Sequence, residues 1–275
     1  MSIIAGKPQR VKVNGITLNA RIDGSLSGNA PWMVFSNSLS SSILMWDRQV
    51  DAFGTRFRTL RYDQRGHGQS DVPPDNQTNF EELSSDLVGL MDHFGIDAAV
   101  LIGVSMGSTT VMRVAARFPD RCRAVVACDG QWRTSPTNDT AWDERIATAT
   151  GKGMAALGRP TVERWFQPEF IAANPDIADR IEAMVSATPV GGYLACASAV
   201  RSFDYRADYP AIKVPVLFMA GAQDGNVPNI MREMANATPG SRFRVIDRCG
   251  HLPNIEQPEV FFEAVNGFVR DLGIG

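Results

Sequence analysis

Apolar residues along this chain follow two rhythms. Short apolar runs, each closed by polar or glycine-rich residues, predict buried strands at 32–35, 57–62, 98–102, Cys122–Cys128, 214–220 and 243–246. Between them, apolar positions three and four apart predict helices. One helical face carries Phe80, Leu83, Leu87, Leu90, Met91 and Phe94, with Thr78 and Glu81 at the spacing of a capping box. A second carries Val111, Val114, Ala115 and Phe118, and the last carries Val260, Phe261, Ala264, Val265, Phe268 and Leu272. Near the start, apolar segments at 11–13 and 16–22 flank Asn14-Gly15, a strong signal for a two-residue hairpin turn. Alternating strands and helices imply an α/β fold: a mostly parallel central sheet with helices on both faces.

The alternation stops after Asp129-Gly130. From about 131 to 209 no strand pattern is visible. The segment has short helix-like pieces, Trp132, Trp142 and Trp165, and breakers at Pro136, Pro160, Pro168, Pro175, Pro189 and Gly191-Gly192. It reads as a helical cap, residues 131–209, inserted into a core made of 1–130 and 210–275.

Composition narrows the function classes. The chain has 275 residues, 44% hydrophobic and 21% charged, which suits one large globular domain, or one domain carrying an insertion. A net charge of −3 with no basic stripe gives no reason to expect nucleic acid or an anionic membrane as partner. The first residues lack a basic and then apolar leader, and no apolar run approaches the roughly 20 residues of a membrane span. The expectation is a cytoplasmic protein acting on a small molecule, with its oligomeric state open. Cys122, Cys128, Cys196 and Cys249 form no Cys-x-x-Cys pair, so a disulfide framework is not expected. His67, His93 and His251 show no metal-ligand spacing, and neither metal nor cofactor is expected.

The chemistry centres on Gly103-Val104-Ser105-Met106-Gly107. A strand precedes this G-x-S-x-G and a helix follows it, the setting of a nucleophile elbow. Larger side chains at 103 and 107 would clash across so tight a turn. A serine hydroxyl needs a base, and the base an orienting acid. His251 lies in the loop between the last strand and the last helix, at the carboxyl edge of the strands that also holds Ser105. His67 is a second candidate on the same edge, whereas His93 reads as a helix-end residue. Two acids follow strands at that edge. Asp224 gives the chain order Ser…Asp…His and is preferred. Asp129 is the other possibility, or simply a turn residue before Gly130. An oxyanion would take the Met106 N–H and a second donor from the loop after residue 35, with Ser38 favoured and Leu39 beside it.

Together these residues resemble the α/β-hydrolase superfamily over nearly the whole chain. Gly103-Val104-Ser105-Met106-Gly107, Asp63-x-Arg65-Gly66-His67-Gly68-x-Ser70, Asp224 and Gly250-His251 carry that likeness. It implies the α/β-hydrolase fold and a hydrolytic serine triad. Ser36-Asn37-Ser38-Leu39 with Met45-Trp46 stands where many relatives have His-Gly. It is similar to the 3-oxoadipate enol-lactonases, as are Leu60-Arg61-Tyr62-Asp63, Arg164-Trp165-Phe166 and Asn254-Ile255-Glu256. That family implies hydrolysis of a small carboxylate-bearing enol lactone in aromatic catabolism. Ser108, where a third glycine is usual, and Asp129-Gly130-Gln131-Trp132 depart from the pattern beside the pocket. For a carboxylate substrate Arg133 is the candidate cation, and Trp132 and Trp165 are candidate pocket walls. A carboxylesterase or another lactonase on uncharged esters, a perhydrolase and a C–C hydrolase share this machinery. A ligand receptor on the same fold would leave the Ser105, Asp224 and His251 set unexplained.

Overall fold

The computed structural model describes residues 3–134 and 139–275. Pro136, one of the expected breakers, lies outside them. The first half of the core contains β1 (Ile3–Ala5), β2 (Gln9–Val13), β3 (Ile16–Ser25), β4 (Trp32–Ser36), α1 (Asp47–Phe53), β5 (Arg58–Tyr62), α2 (Phe80–His93), β6 (Ala99–Val104), α3 (Met106–Arg117) and β7 (Cys122–Cys128). Five helices follow: α4 (Asp139–Lys152), α5 (Ala155–Trp165), α6 (Pro168–Ala173), α7 (Pro175–Ser186) and α8 (Val190–Arg201). The core resumes with β8 (Val216–Gly221), α9 (Val227–Ala237), β9 (Arg242–Ile246), α10 (Pro253–Glu256) and α11 (Pro258–Asp271).

The nine strands form one sheet. β1 and β2 pair successively along β3, and β3 runs antiparallel to β5. From β5 the order is β4, β6, β7, β8, β9, all parallel. The hairpin forms at Asn14-Gly15, where both residues take positive φ (47° and 79°) as a type I′ turn requires.

Strand alternation sorts side chains onto two faces. Met33, Phe35, Val100, Ile102 and Val126 pack with Val50 and Phe53 of α1 and Phe261, Val265 and Phe268 of α11. Val34, Leu101, Val125 and Phe218 pack on the other face with Leu87 of α2, Val111 and Val114 of α3, and Met231 of α9. Both faces of the central parallel strands β6, β7 and β8 are therefore dry, which is why their sequences read as continuous apolar runs, whereas the edge strand β9 exposes Arg242 and Arg244. All four cysteines are free and buried.

Two local expectations change. The N-cap of α2 is Asn79, one residue later than Thr78, and its side chain accepts from the Glu82 N–H at 2.9 Å. Asn caps as well as Thr does, and Thr78 instead donates its hydroxyl to the Glu82 carboxylate at 3.0 Å. The short helix α1 carried no periodic signal strong enough to be read, because seven residues span only two turns.

Candidate active site

The parallel register brings the ends of β4, β6, β7, β8 and β9 to one edge, and the loops there surround a cavity roofed by α4, α5 and α8. Ser105 joins β6 to α3 with φ 58° and ψ −118°, a strained backbone for a residue with a side chain. The flanking glycines allow the turn. A Cβ at Gly103 would lie 2.1 Å from the Gly107 carbonyl oxygen, and one at Gly107 would lie 2.0 Å from that of Ser36. Ser105 and His251 both line the cavity.

Asp224, in the loop after β8, accepts a hydrogen bond from His251 Nδ1 at 2.7 Å. That bond fixes the ring so that Nε2 is the free nitrogen. The His251 loop is held from two further sides. Its backbone N–H donates to the Trp165 carbonyl at 2.7 Å, and the Trp165 indole stacks on the imidazole with centroids 6.1 Å apart. Buried Glu256 accepts from the Gly250 N–H at 2.6 Å and the Gln167 N–H at 2.9 Å, tying this loop to the cap. Burial raises the Glu256 pKa despite those donors.

The loop after β4 lacks glycine but is locked by side chains. Asn37 donates to the Tyr62 carbonyl at 2.8 Å and accepts from the Trp46 indole at 2.8 Å. Ser41 donates to the Ser38 carbonyl at 2.7 Å. His67 accepts the Ser40 N–H at Nε2, 2.9 Å away, and its Nδ1 lies 3.1 Å from the Arg65 carbonyl. Complete burial pushes the His67 pKa down to about 4, so it is the neutral ring that props this loop. Its role is thus structural. His93 packs edge-on against Phe94 at the end of α2, far from this chemistry. Ser38 and Leu39 line the cavity, as does Met106 at the first turn of α3, and the Ser38 hydroxyl is buried with no hydrogen-bond partner among the described residues.

The expected substrate contacts divide. Trp165 lines the cavity. Trp132 and Arg133 do not. Their segment runs beside residues 203–205, with Tyr205 N–H donating to the Trp132 carbonyl at 2.8 Å and the Arg133 backbone paired antiparallel with that of Asp204. The Trp132 ring packs edge-on against Tyr209, 5.4 Å away. Their position next to the cap boundary predicts a pocket role, but the backbone pairing keeps this segment out of the cavity lining. The cations that do line the cavity are Arg145 of α4 and Arg164 of α5, with Tyr193 of α8 beside them. Neither arginine has a carboxylate within 4.0 Å among the described residues. Arg145 lies over the Trp142 ring at 4.0 Å. Arg164 opens onto the cavity, yet the surrounding protein, and then Arg145, push its pKa down to about 10. Arg145 was invisible in the sequence because a helical arginine there looks like a solvated one. The pairing of each arginine with a tryptophan, Trp142 with Arg145 and Arg164 with Trp165, was the available signal.

The two departures beside the pocket compensate each other. A Cβ on Gly130 would sit 2.3 Å from the Ser108 hydroxyl. A serine at 108 therefore requires a glycine at 130.

A family model for the alpha/beta hydrolase fold matches residues 31–258, and the chain belongs to that family. Within it, the chain is 33% identical to 3-oxoadipate enol-lactonase 1 of Acinetobacter baylyi, across 94% of this chain and 95% of that protein. The crystal structure of the enol-lactonase from Burkholderia xenovorans LB400 superposes with a TM-score of 0.90 at 37% identity, covering 95% of this chain and all of that one. A thermophilic esterase from Thermogutta terrifontis gives 0.86 at 26% identity over 99% of both chains. The protein is an α/β hydrolase similar to the enol-lactonases.

Proposed function

We propose that this hydrolase opens a small enol lactone bearing a carboxylate, 3-oxoadipate enol-lactone or a near analogue, through an acyl-enzyme on Ser105. The observation that carries the reading is the hydrogen-bonded Asp224–His251 pair in one cavity with the strained Ser105, under a roof whose two arginines have no carboxylate partner among the described residues.

His251 Nε2 takes the Ser105 proton as the hydroxyl attacks the ring carbonyl, and Asp224 stabilises the imidazolium. The Met106 N–H and a donor from the loop at Ser38 and Leu39 hold the oxyanion. The ring C–O bond breaks, and the tethered enolate leaves and takes the proton that His251 holds. The enol becomes a ketone, which makes ring opening effectively irreversible. Water, giving its proton to His251, then attacks the acyl carbonyl, and His251 passes that proton to Ser105 Oγ as the second carboxylate is released. Arg164 and Arg145 anchor the carboxylate the substrate carries, in the part first expected of Arg133; a guanidinium can bind it with two parallel hydrogen bonds.

The test compares kcat/KM of the purified protein on a carboxylated enol lactone and on a short p-nitrophenyl ester. The reading requires a clear preference for the lactone. Equal or better turnover of the neutral ester supports the second reading, a carboxylesterase, which the similarity to the Thermogutta esterase favours.

A further inference from the structure

Beside the Asp224–His251 pair lies a third titratable group that the mechanism above does not use. Asp129 follows β7 at the same sheet edge, with φ 45°. Its side chain is 2% exposed. One oxygen, Oδ1, accepts from the Gly221 N–H at 2.8 Å, which sets the plane of the carboxyl. The other, Oδ2, is buried and has no hydrogen-bond partner among the described residues. Oxygen atoms of Asp129 and Asp224 and a ring nitrogen of His251 all lie within 4.8 Å of one another.

We propose that Asp129 is a positioning residue for Asp224: it carries a proton on Oδ2 and donates it in a hydrogen bond to the Asp224 carboxylate, bracing the acid from behind. This rests on the Ser105–His251–Asp224 reading. The argument is one of accounting for every polar atom. An ionised Asp129 would leave one carboxylate oxygen buried and bare, facing a second carboxylate. Protonation removes both costs, since the orphaned oxygen becomes a donor beside an acceptor.

The neighbours reinforce this state. Asp224 faces Asp129 from the loop after β8, Glu256 from α10, and His251 and Cys249 from the loop after β9; Cys128 precedes it in the chain. From α9 the Met231 sulfur accepts the Gly130 N–H, and from α3 the Ser108 hydroxyl abuts Gly130. Of these groups only His251 can carry positive charge. Burial first, and Asp224 second, hold the Asp129 carboxyl well above the ordinary range.

A donor behind Asp224 does two things. It restricts rotation of the carboxylate that orients His251. It also tempers the negative charge that Asp224 presents, which keeps the imidazole less basic than a bare carboxylate would make it. The test uses the full-length protein with a carboxylated lactone, in wild type, Asp129→Ala, Asp129→Asn and Ser105→Ala. Asp129→Ala is expected to lower kcat by about 10- to 100-fold with KM little changed. Its acid limb in the pH profile of kcat/KM moves to higher pH. Asparagine has the same shape, accepts from Gly221 and donates to Asp224 without a charge. Asp129→Asn is therefore expected to rescue kcat relative to alanine, with the acid limb where wild type has it. Infrared difference spectra at neutral pH should show a protonated carboxyl band in wild type that Asp129→Asn lacks. An acid limb displaced downward in Asp129→Asn, or no such band, means an ionised Asp129 and overturns this assignment alone. Turnover surviving in Ser105→Ala overturns the catalytic reading, and this assignment with it.

Discussion

All six residues of β6 are buried, whereas no residue of α6 in the inserted segment is. The contrast holds more widely. β6 and β8 are buried along their whole length, while the roof helices α4 and α5 contribute Arg145 and Arg164 to a cavity and leave many of their other residues in solvent. The core has little freedom: β6 is packed between helices on both sides, its side chains alternating between the two faces. The insertion needs only to cover the sheet edge, so its inward residues can be chosen by the substrate. On the proposed mechanism, the geometry of the chemistry belongs to the sheet and the choice of substrate to the roof.

Replacing Ser105 by alanine is the largest break on the sheet side. The proposed mechanism predicts a fall in kcat of about 10⁴-fold, with thermal stability unchanged or improved by relief of strain, read by steady-state kinetics and calorimetry. Leu101→Ala, in the buried centre of β6, is expected to cost about 2–5 kcal/mol of stability through lost burial and a cavity. Chemical denaturation measures it, and a comparable loss from an alanine in α6 would erase the distinction between core and roof.

His67 extends the comparison to pH. Its folded pKa, about 4, lies below the unfolded value, about 6.5. The unfolded chain therefore takes up the proton first, and stability is lost as pH falls from about 6.5 to about 4, by about 3 kcal/mol from this group. His67→Gln should show a shallower decline of stability over that window, although its stability at neutral pH is lower.

On the roof side, Arg164→Ala is expected to raise KM for a carboxylated lactone by about 10- to 100-fold and to leave KM for a neutral ester nearly unchanged. Equal losses on both substrates would make Arg164 a structural residue. Arg133→Ala, outside the cavity, is expected to change KM by less than about twofold, which separates the two arginines directly.

The same division governs what could be read from the sequence. Strands buried on both faces announce themselves as apolar runs, and Cys122–Cys128 was legible to the residue. The hairpin at Asn14-Gly15 and the turn at Ser105 were legible because their backbone conformations demand particular residues. Chain order pointed to Asp224 rather than Asp129, and the hydrogen bond to His251 runs to Asp224. The roof was legible only as a helical insertion. Which of its residues face inward depends on how five short helices pack, and periodicity does not encode that. Arg133 stands out by its place in the chain, whereas Arg145 and Arg164 reach the cavity through the fold. Nor does a sequence report that Asp129 lies against Asp224, because 95 residues separate them and only the adjacency of β7 and β8 brings them together.

Mapping a covalent intermediate on Ser105 tests the central claim most directly. Rapid acid quenching of a single turnover with a slow lactone or ester substrate, followed by peptide mass spectrometry, should find the acyl group on the peptide containing Ser105. The adduct should be absent in Ser105→Ala and form far more slowly in His251→Ala. Turnover without an acyl adduct, or an adduct on a different residue, would contradict the account.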